Sequence, residues 1–408
     1  MRSWNYPVVP FGTDAGPLAR LWDSTTESLV ETAPGEFASL YVCGITPYDA
    51  THIGHAATFI AYDTLVRSWK DAGYEVAYVQ NVTDVDDPLL ERATATGVDW
   101  QDLASEQIEL FREDMQALSV IPPDYFIGVT ESIPAIASGV HRLLDSGIGY
   151  RLDTDIYFDS AAAAAASEWH LGSESGFDRD EMLRLSAERG GDPERSGKRD
   201  PLDPLLWRGA RDGEPSWQSP VGEGRPGWHI ECSVIAAEYL ELPMTVSGGA
   251  SDLRFPHHEF TAGHTSALTG YQHASIRTHA GLVSYQGEKM SKSLGNLVFV
   301  SQLISDGVDP RAIRLAILSQ HYRSEWEWTD ALLEKATQRL ARWVTWGGVT
   351  GGAGEEEFVD DLRAAITNDL NTPRALGIID ERIAFGAPAT EHEVASIQAL
   401  LGISLARS

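Results

Sequence analysis

The chain has 408 residues, with 60 acidic against 31 basic side chains, a formal net charge of -29 and 43% hydrophobic residues. These figures exclude a disordered polymer and argue against a broad nucleic-acid interface, because a surface of that sign repels phosphate backbones. Two cysteines, Cys43 and Cys232, are too few for a disulfide scaffold, no apolar run of about 18 residues is present to span a membrane, and residues 1–24 lack the apolar stretch of a secretion signal. The expectation is a soluble cytoplasmic protein of two or three domains.

Residues 1–36 read as an irregular lead-in rich in turn residues. The apolar run from Ala38 to Cys43 predicts a buried strand that ends at Gly44. A helical pattern follows from about Ile53 to Asp71, with Ala57, Ile60, Ala61, Leu65 and Trp69 on one face, and Gly73 stops it. Tyr74 to Val82 predicts the next strand. Strand, helix and strand in that order imply an α/β fold with a parallel, doubly wound sheet. Helices are expected near 100–119 and 132–147, and a hairpin from Ile148 to Asp159. A run of alanines spans 161–166, and a polar loop surrounds Glu188-Arg-Gly-Gly-Asp-Pro193. Residues of about 85–205 therefore read as an insertion into the sheet domain. The sheet pattern resumes with a helix from Gly227, a strand over Met244–Ser247, a helix from about His257 and a strand over Ile276–Val283. From Ser301 the pattern is helical, broken by a Gly-rich connection at 347–354. The expected organisation is a lead-in (1–36), an interrupted Rossmann-like catalytic domain (37–300) and a C-terminal helical region (301–408). No long-period repeat is found.

Three groups of residues carry chemistry. Thr51-His52-Ile53-Gly54-His55 stands at the start of a predicted helix, where free backbone N–H groups and the dipole attract anions. His52 and His55 are one turn apart and suited to donate to phosphate oxygens, and Gly54 lets a base or ribose approach the backbone. Taken alone, His-x-x-His is more often an ordinary surface or capping pair. Lys289-Met290-Ser291-Lys292-Ser293 follows a predicted strand. Two lysines there suit a charge that appears transiently, such as leaving pyrophosphate; the plain alternative is a solvated basic turn. Cys43, Cys232 and the pair His257-His258 offer the side chains zinc prefers, although two scattered cysteines serve equally as small buried hydrophobes.

His-Ile-Gly-His and Lys-Met-Ser-Lys-Ser, in this order and context, resemble the two signatures of class I aminoacyl-tRNA synthetases. Asn81-Val-Thr-Asp-Val-Asp-Asp87, Lys198-Arg-Asp-Pro-Leu-Asp203, Arg225-Pro-Gly-Trp-His-Ile-Glu-Cys232 and Phe255-Pro-His-His-Glu259 are similar to cysteinyl-tRNA synthetases. The resemblance covers most of residues 38 to about 330. It implies one zinc ion held by Cys43, Cys232 and His257. The fourth ligand of those synthetases is a glutamate, and Thr261 stands in its place. Three protein ligands leave one tetrahedral position open, as in working zinc sites, and a substrate thiolate would fill it far better than a hydroxyl. Glu188-Arg-Gly-Gly-Asp-Pro193, the missing glutamate and a C-terminal stretch after 347 with ten acidic and four basic residues resemble more closely a short paralogue family, the cysteine:glucosaminyl-inositol ligases of mycothiol biosynthesis. Those lack the anticodon-binding domain.

That resemblance implies an ATP-dependent, AMP-forming ligase. Its partners are ATP with Mg2+, L-cysteine and glucosaminyl-inositol, with no nucleic acid or membrane, and a monomer is expected. His52 and His55 would contact the ATP phosphates, and Lys289 and Lys292 would neutralise leaving pyrophosphate. Contacts to the cysteinyl-adenylate are implied for Cys43, Gly44, Ile45, Thr46, Thr58, Asn81, Val82, Thr83, Trp228, Ala250, Ser251, Asp252, Val283 and Lys292. Asp84, Asp86 and Glu259 are open candidates for a base in the amide-forming step. A truncated cysteinyl-tRNA synthetase and a non-catalytic zinc and nucleotide binder that senses cysteine are the alternatives.

Overall fold

The computed structural model describes residues 1–406 except 7, 8, 10, 13, 14, 34, 50, 291–294, 350 and 352–355, and leaves aside the side chains of 289 and 356. The chain opens with a hairpin, β1 (Arg20–Asp23) and β2 (Ser28–Glu31). The lead-in is therefore partly regular. Two strands of four residues are too short to register as an alternating pattern, yet Leu21 is fully buried and anchors the hairpin. Then come β3 (Phe37–Ile45), α1 (Ile53–Asp71), β4 (Glu75–Val82), α2 (Asp87–Thr96), α3 (Trp100–Ala117), β5 (Tyr125–Gly128) and α4 (Val129–Asp145). Next are β6 (Gly149–Leu152), β7 (Asp155–Phe158), α5 (Ser160–Ala166, the alanine run), α6 (Arg179–Glu188), β8 (Leu205–Gly209) and β9 (Gly224–Pro226). The sequence continues with α7 (Trp228–Tyr239), β10 (Met244–Ala250), α8 (Glu259–Thr269), β11 (Ala274–Ala280), β12 (Val283–Tyr285) and β13 (Glu288–Lys289). It closes with α9 (Val300–Ser305), α10 (Pro310–Leu318), β14 (Trp326–Trp328), α11 (Asp330–Gly347), α12 (Glu356–Thr367), α13 (Thr372–Ala384) and α14 (Glu391–Leu401).

The central sheet is parallel, in the order β11-β10-β3-β4-β5. Chain order runs outward from β3 in one direction through β4 and β5, and in the other through β10 and β11. The switch point thus lies between β3 and β10, and a crevice forms there at the carboxyl ends of the strands. β5 belongs to this sheet although it falls within the stretch expected as insertion; its four residues, after Pro122 and Pro123, are too few to reveal a strand by pattern. The separate antiparallel sheet β6-β7-β8-β9 stands beside it. The short three-stranded sheet β13-β12-β14 carries the segment leading to Lys289.

Strand period decides which side chains meet. Ala38, Leu40 and Val42 of β3 enter a core shared with α1, α3 and the C-terminal helices. Tyr41 and Cys43 point to the opposite core, shared with α4, α7, α8 and the inserted sheet. α1 is buried along nearly its whole length and contains a fully buried ion pair, Asp63 with Arg67 (2.7 Å). Asp63 also pairs with Arg314 of α10, and Arg314 donates to Leu401 O (2.6 Å) while Arg67 donates to Ala399 O (2.9 Å). Removing one partner would strand a buried charge, a change of about 3–5 kcal/mol, so this cluster locks the C-terminal helices to the helix that bears the site.

Candidate active site

A cavity of about 380 Å³ opens at the switch point. Cys43, Gly44, Ile45 and Thr46 from the end of β3 line it, together with His52, Gly54, His55 and Thr58 from the start of α1. Trp228, Ala250, Asp252 and Val283 close the other side. Asn81, Val82, Thr83 and Ser251 are not among the lining residues. Asn81 is buried behind the cavity, where its Oδ1 accepts from Gly44 N (2.9 Å) and the Tyr41 hydroxyl (3.1 Å), and its Nδ2 donates to Thr83 Oγ1 (3.2 Å). It clamps the ends of β3 and β4 together. A Cβ at Gly44 would stand 1.6 Å from Asn81 O, so the clamp demands glycine.

His52 is the N-cap of α1. Its Nδ1 accepts from Gly54 N (3.1 Å), which assigns the ring proton to Nε2. Its ring stacks on His55 with centroids 3.8 Å apart. A Cβ at Gly54 would meet the His52 ring at 2.8 Å, so this glycine serves the cap as well as the cavity. Burial pushes His55 down to about 4, against the opposing pull of Asp252, so His55 is a neutral imidazole at neutral pH. Its Nδ1 is buried with no hydrogen-bond partner. His55 can therefore offer an N–H but no charge, and in His52 the cap occupies Nδ1 and not the Nε2–H. Met290, within the lysine motif, and Leu297, just after it, also line the cavity. Lys292 and the side chain of Lys289 lie outside the described residues.

The Cys43 and Cys232 sulfurs and a ring nitrogen of His257 all lie within 4.8 Å of one another, and all three residues are buried. A tetrahedral zinc with bonds of about 2.3 Å to sulfur sets two sulfurs roughly 3.8 Å apart, within the 4.8 Å span of this cluster, and two thiols with an imidazole are the donors such an ion prefers. Burial pushes the Cys43 thiol up, with the adjacent Cys232 adding to the shift. Burial and the surrounding imidazoles push His257 down, leaving it neutral, as a metal ligand must be. Three residues outside the expected set support the cluster. His229 Nδ1 stands 3.0 Å from His257 Nδ1, and His258 Nε2 stands 3.3 Å from Cys43 Sγ. His279 Nε2 stands 2.8 Å from His258 Nδ1. His258 was legible as the second histidine of the His257-His258 pair and His229 only as a neighbour within the Arg225–Cys232 motif; His279 carried no signal. Thr261 is turned away, with its hydroxyl donating to His229 O (3.4 Å).

Residues 30–338 match the family described as tRNA synthetases class I (C) catalytic domain. The chain belongs to that class I synthetase family. It is 58% identical, over 99% of both chains, to the L-cysteine:1D-myo-inositol 2-amino-2-deoxy-alpha-D-glucopyranoside ligase of Clavibacter michiganensis. It is 61% identical to the protein of the same name from Clavibacter sepedonicus, over 90% of this chain and 94% of that one. Among solved structures, Mycobacterium tuberculosis methionyl-tRNA synthetase in complex with methionyl-adenylate superposes with a TM-score of 0.62 at 15% identity, covering 90% of this chain and 88% of the other. That likeness shows the fold, an α/β class I catalytic domain.

Beside the class I cavity lies a second one of about 800 Å³, between the strand ends and the inserted sheet. The polar loop after α6 forms part of its wall, and Arg189 from that loop donates to Asp252 O (2.5 Å) and to Phe255 O. The three candidate bases separate here. Asp84 is engaged by Thr130 N (2.8 Å) and Thr130 Oγ1 (2.5 Å). Glu259 accepts from Gly172 N (3.0 Å) and Ser175 N (2.8 Å). Asp86, the N-cap of α2, accepts from Asp87 N (2.8 Å) and lines the second cavity. Burial pushes Asp86 up to about 6, against the hydrogen bond from Asp87 N and the charges of Arg225 and Arg208, with the Asp87 carboxylate adding a smaller upward push. Tyr48, absent from the expected set, lines both cavities, and burial together with Asp49, Asp86 and Asp252 pushes its phenol up.

Proposed function

We propose that this chain joins L-cysteine to the amine of glucosaminyl-inositol in an ATP-dependent, AMP-forming ligation, the amide-forming step of mycothiol biosynthesis. The reading rests above all on one combination. The Cys43, Cys232 and His257 cluster adjoins a switch-point cavity, in a chain that is 58% identical end to end to a ligase whose name states both substrates.

In the first step the cysteine carboxylate oxygen attacks the α-phosphorus of ATP, and the bond to pyrophosphate breaks. The chain supplies position and charge stabilisation, with no nucleophile of its own. His52 Nε2–H and the N–H of His55 donate to the phosphates, and the positive end of the α1 dipole faces the same charge. Lys289 and Lys292 are assigned to the departing pyrophosphate. Cys43, Cys232 and His257 would hold zinc, which when bound supplies an open coordination position for the substrate's sulfur and so selects cysteine over serine. Trp228, stacked on His257 with centroids 4.2 Å apart, walls the pocket that keeps water from the sulfur. ATP enters as its magnesium complex. No helix of the described residues is long and apolar enough to cross a membrane.

The test is a product assay with ATP, cysteine and zinc-loaded protein, offering glucosaminyl-inositol in one reaction and total tRNA in another. Mass spectrometry is expected to find the cysteinyl amide in the first and no cysteinyl-tRNA in the second. Charged tRNA without amide would replace this reading with a truncated cysteinyl-tRNA synthetase.

A further inference from the structure

We propose that the second cavity binds the amine-bearing acceptor, and that Asp86 is the group that takes the amine's proton. The inference rests on the ligase reading above and adds the site of the second substrate to it.

Amide formation needs a second substrate beside the adenylate, reached without crossing protein. Thr46, Tyr48, Trp228, Asp252 and Leu253 line both cavities, so the two meet along one seam. The second cavity, at about 800 Å³, is within the usual range of small-molecule sites, roughly 300–1,000 Å³, and has room for a hexosamine joined to a cyclitol. Its wall is set with paired charges, Asp155 with Arg195 (2.5 Å) and Arg211 (2.9 Å), and Asp192 with Lys198 (2.8 Å). Fixed donors and acceptors of this kind suit a ligand made of hydroxyl groups and give an apolar one nothing.

An amine in water is mainly a cation, and the seam favours cations, because Asp49, Asp86 and Asp252 converge on Tyr48 there. Most of the other carboxylates of the second cavity are committed elsewhere; Glu91 is exposed, and Asp252 stands at the seam. Asp87 pairs with Arg225 and with Arg208 (3.4 Å), and Asp203 accepts from Ser160 N (3.0 Å), Asp200 N (2.9 Å) and the Tyr150 hydroxyl (2.9 Å). Asp86 holds a single backbone N–H and, among the described residues, no ion pair. In the reaction the ammonium gives one proton to the Asp86 carboxylate, which releases it to solvent. The free amine attacks the carbonyl carbon of the mixed anhydride. The C–N bond forms, the C–O bond to phosphate breaks, and the second proton leaves with the phosphate of AMP.

The test is Asp86→Asn, with Asp86→Glu beside it. Asparagine caps a helix as well as aspartate does, so α2 keeps its start. Two readouts separate the half-reactions, cysteine-dependent ATP–pyrophosphate exchange and amide formation from glucosaminyl-inositol. Exchange is expected to stay within about twofold. Amide formation should fall by roughly 10²–10⁴, the usual contribution of a positioned base, with partial recovery in the glutamate variant. The wild-type rate of amide formation should rise with pH through about 6, and the asparagine variant should lose that rise. The groups facing Asp86 are Asp87 on its own helix, Arg208 and Arg225 of the inserted sheet, Glu231 of α7 and Tyr48; their charges set the position of that rise. An equal fall in both half-reactions, or undiminished amide formation, would overturn the assignment. A wild-type protein that makes adenylate and no amide would instead overturn the ligase reading, and the proposal with it.

Discussion

The two cavities share Trp228 and a seam of loop residues, yet they are built by different means. The switch-point cavity is made of backbone. A glycine-pinched strand end, a capped helix start and the end of β10 converge because the order of a parallel sheet brings them together. The second cavity is made of side chains from α2, the loop after α6 and the inserted sheet, held by ion pairs. On the proposed reading, ATP and the adenylate would be met by residues placed by the order of the sheet, and the acceptor by side chains on inserted segments, which can change without disturbing the sheet.

The sharpest test of this contrast removes a side chain from the backbone-built site. Cys232→Ala is expected to abolish bound zinc, measured by metal analysis, and to collapse the preference for cysteine over serine in pyrophosphate exchange. Preferences of this kind are on the order of 10⁴–10⁵ when a site is built around one polar group of the substrate. Stripping the metal from the intact protein with a chelator should have the same effect, reversed by adding zinc. Next in size, Gly44→Ala places a Cβ 1.6 Å from Asn81 O and forces the ends of β3 and β4 apart. A loss of about 3 kcal/mol of stability is expected, seen as a lower denaturation midpoint. A neutral result would mean that the strand ends are less rigid than the Asn81 clamp implies.

The same contrast explains what could be read in the sequence. β3, α1 and β4 were legible because Leu40 and Val42 alternate with Tyr41 and Cys43, and because the helical stripe through Ile60 and Trp69 is unbroken until Gly73. The class I motifs fixed the place of His52 and His55 in the fold, since a helix after the first strand of such a sheet starts at the switch point. β1 and β5 were hidden, each being four residues long and too short to show a period of its own. Asn81 through Thr83 are adjacent to the site in sequence but face the clamp, a distinction that depends on a bulge between Val42 and Ile45 and not on residue type. The second cavity was illegible for a plainer reason. Asp86, the loop holding Arg189 and Asp192, and Arg225 are far apart in the chain, and polar residues in loops look alike until a fold brings them together.

Arg189 offers a middle-sized test, because it belongs to the second wall and holds the first. Its guanidinium fixes the carbonyls of Asp252 and Phe255, in the segment that runs from the adenylate contacts to His257. In Arg189→Met both half-reactions should slow together, by about 10²-fold if that segment shifts by an ångström. Circular dichroism should show the fold retained. Loss confined to amide formation would mean that Arg189 serves the acceptor alone.

The smallest effect comes from pH, and it separates the two cavities without mutation. His55 at about 4 stays neutral through the range in which Asp86, at about 6, changes charge. A raised carboxyl acts as a base above its pKa and is silenced as pH falls through it. Between pH 7 and 5 the single-turnover rate of adenylate formation should therefore hold nearly constant at saturating cysteine and ATP. Over the same interval the rate of amide formation from preformed adenylate, at saturating acceptor, should drop about tenfold, the decline expected when the basic form of one group is depleted on passing a unit below its pKa. Two profiles falling together would place the titrating group in the shared seam, where Tyr48 and Asp252 serve both cavities. Two profiles that part near pH 6 would tie the amide-forming step to a carboxylate that only the second cavity presents.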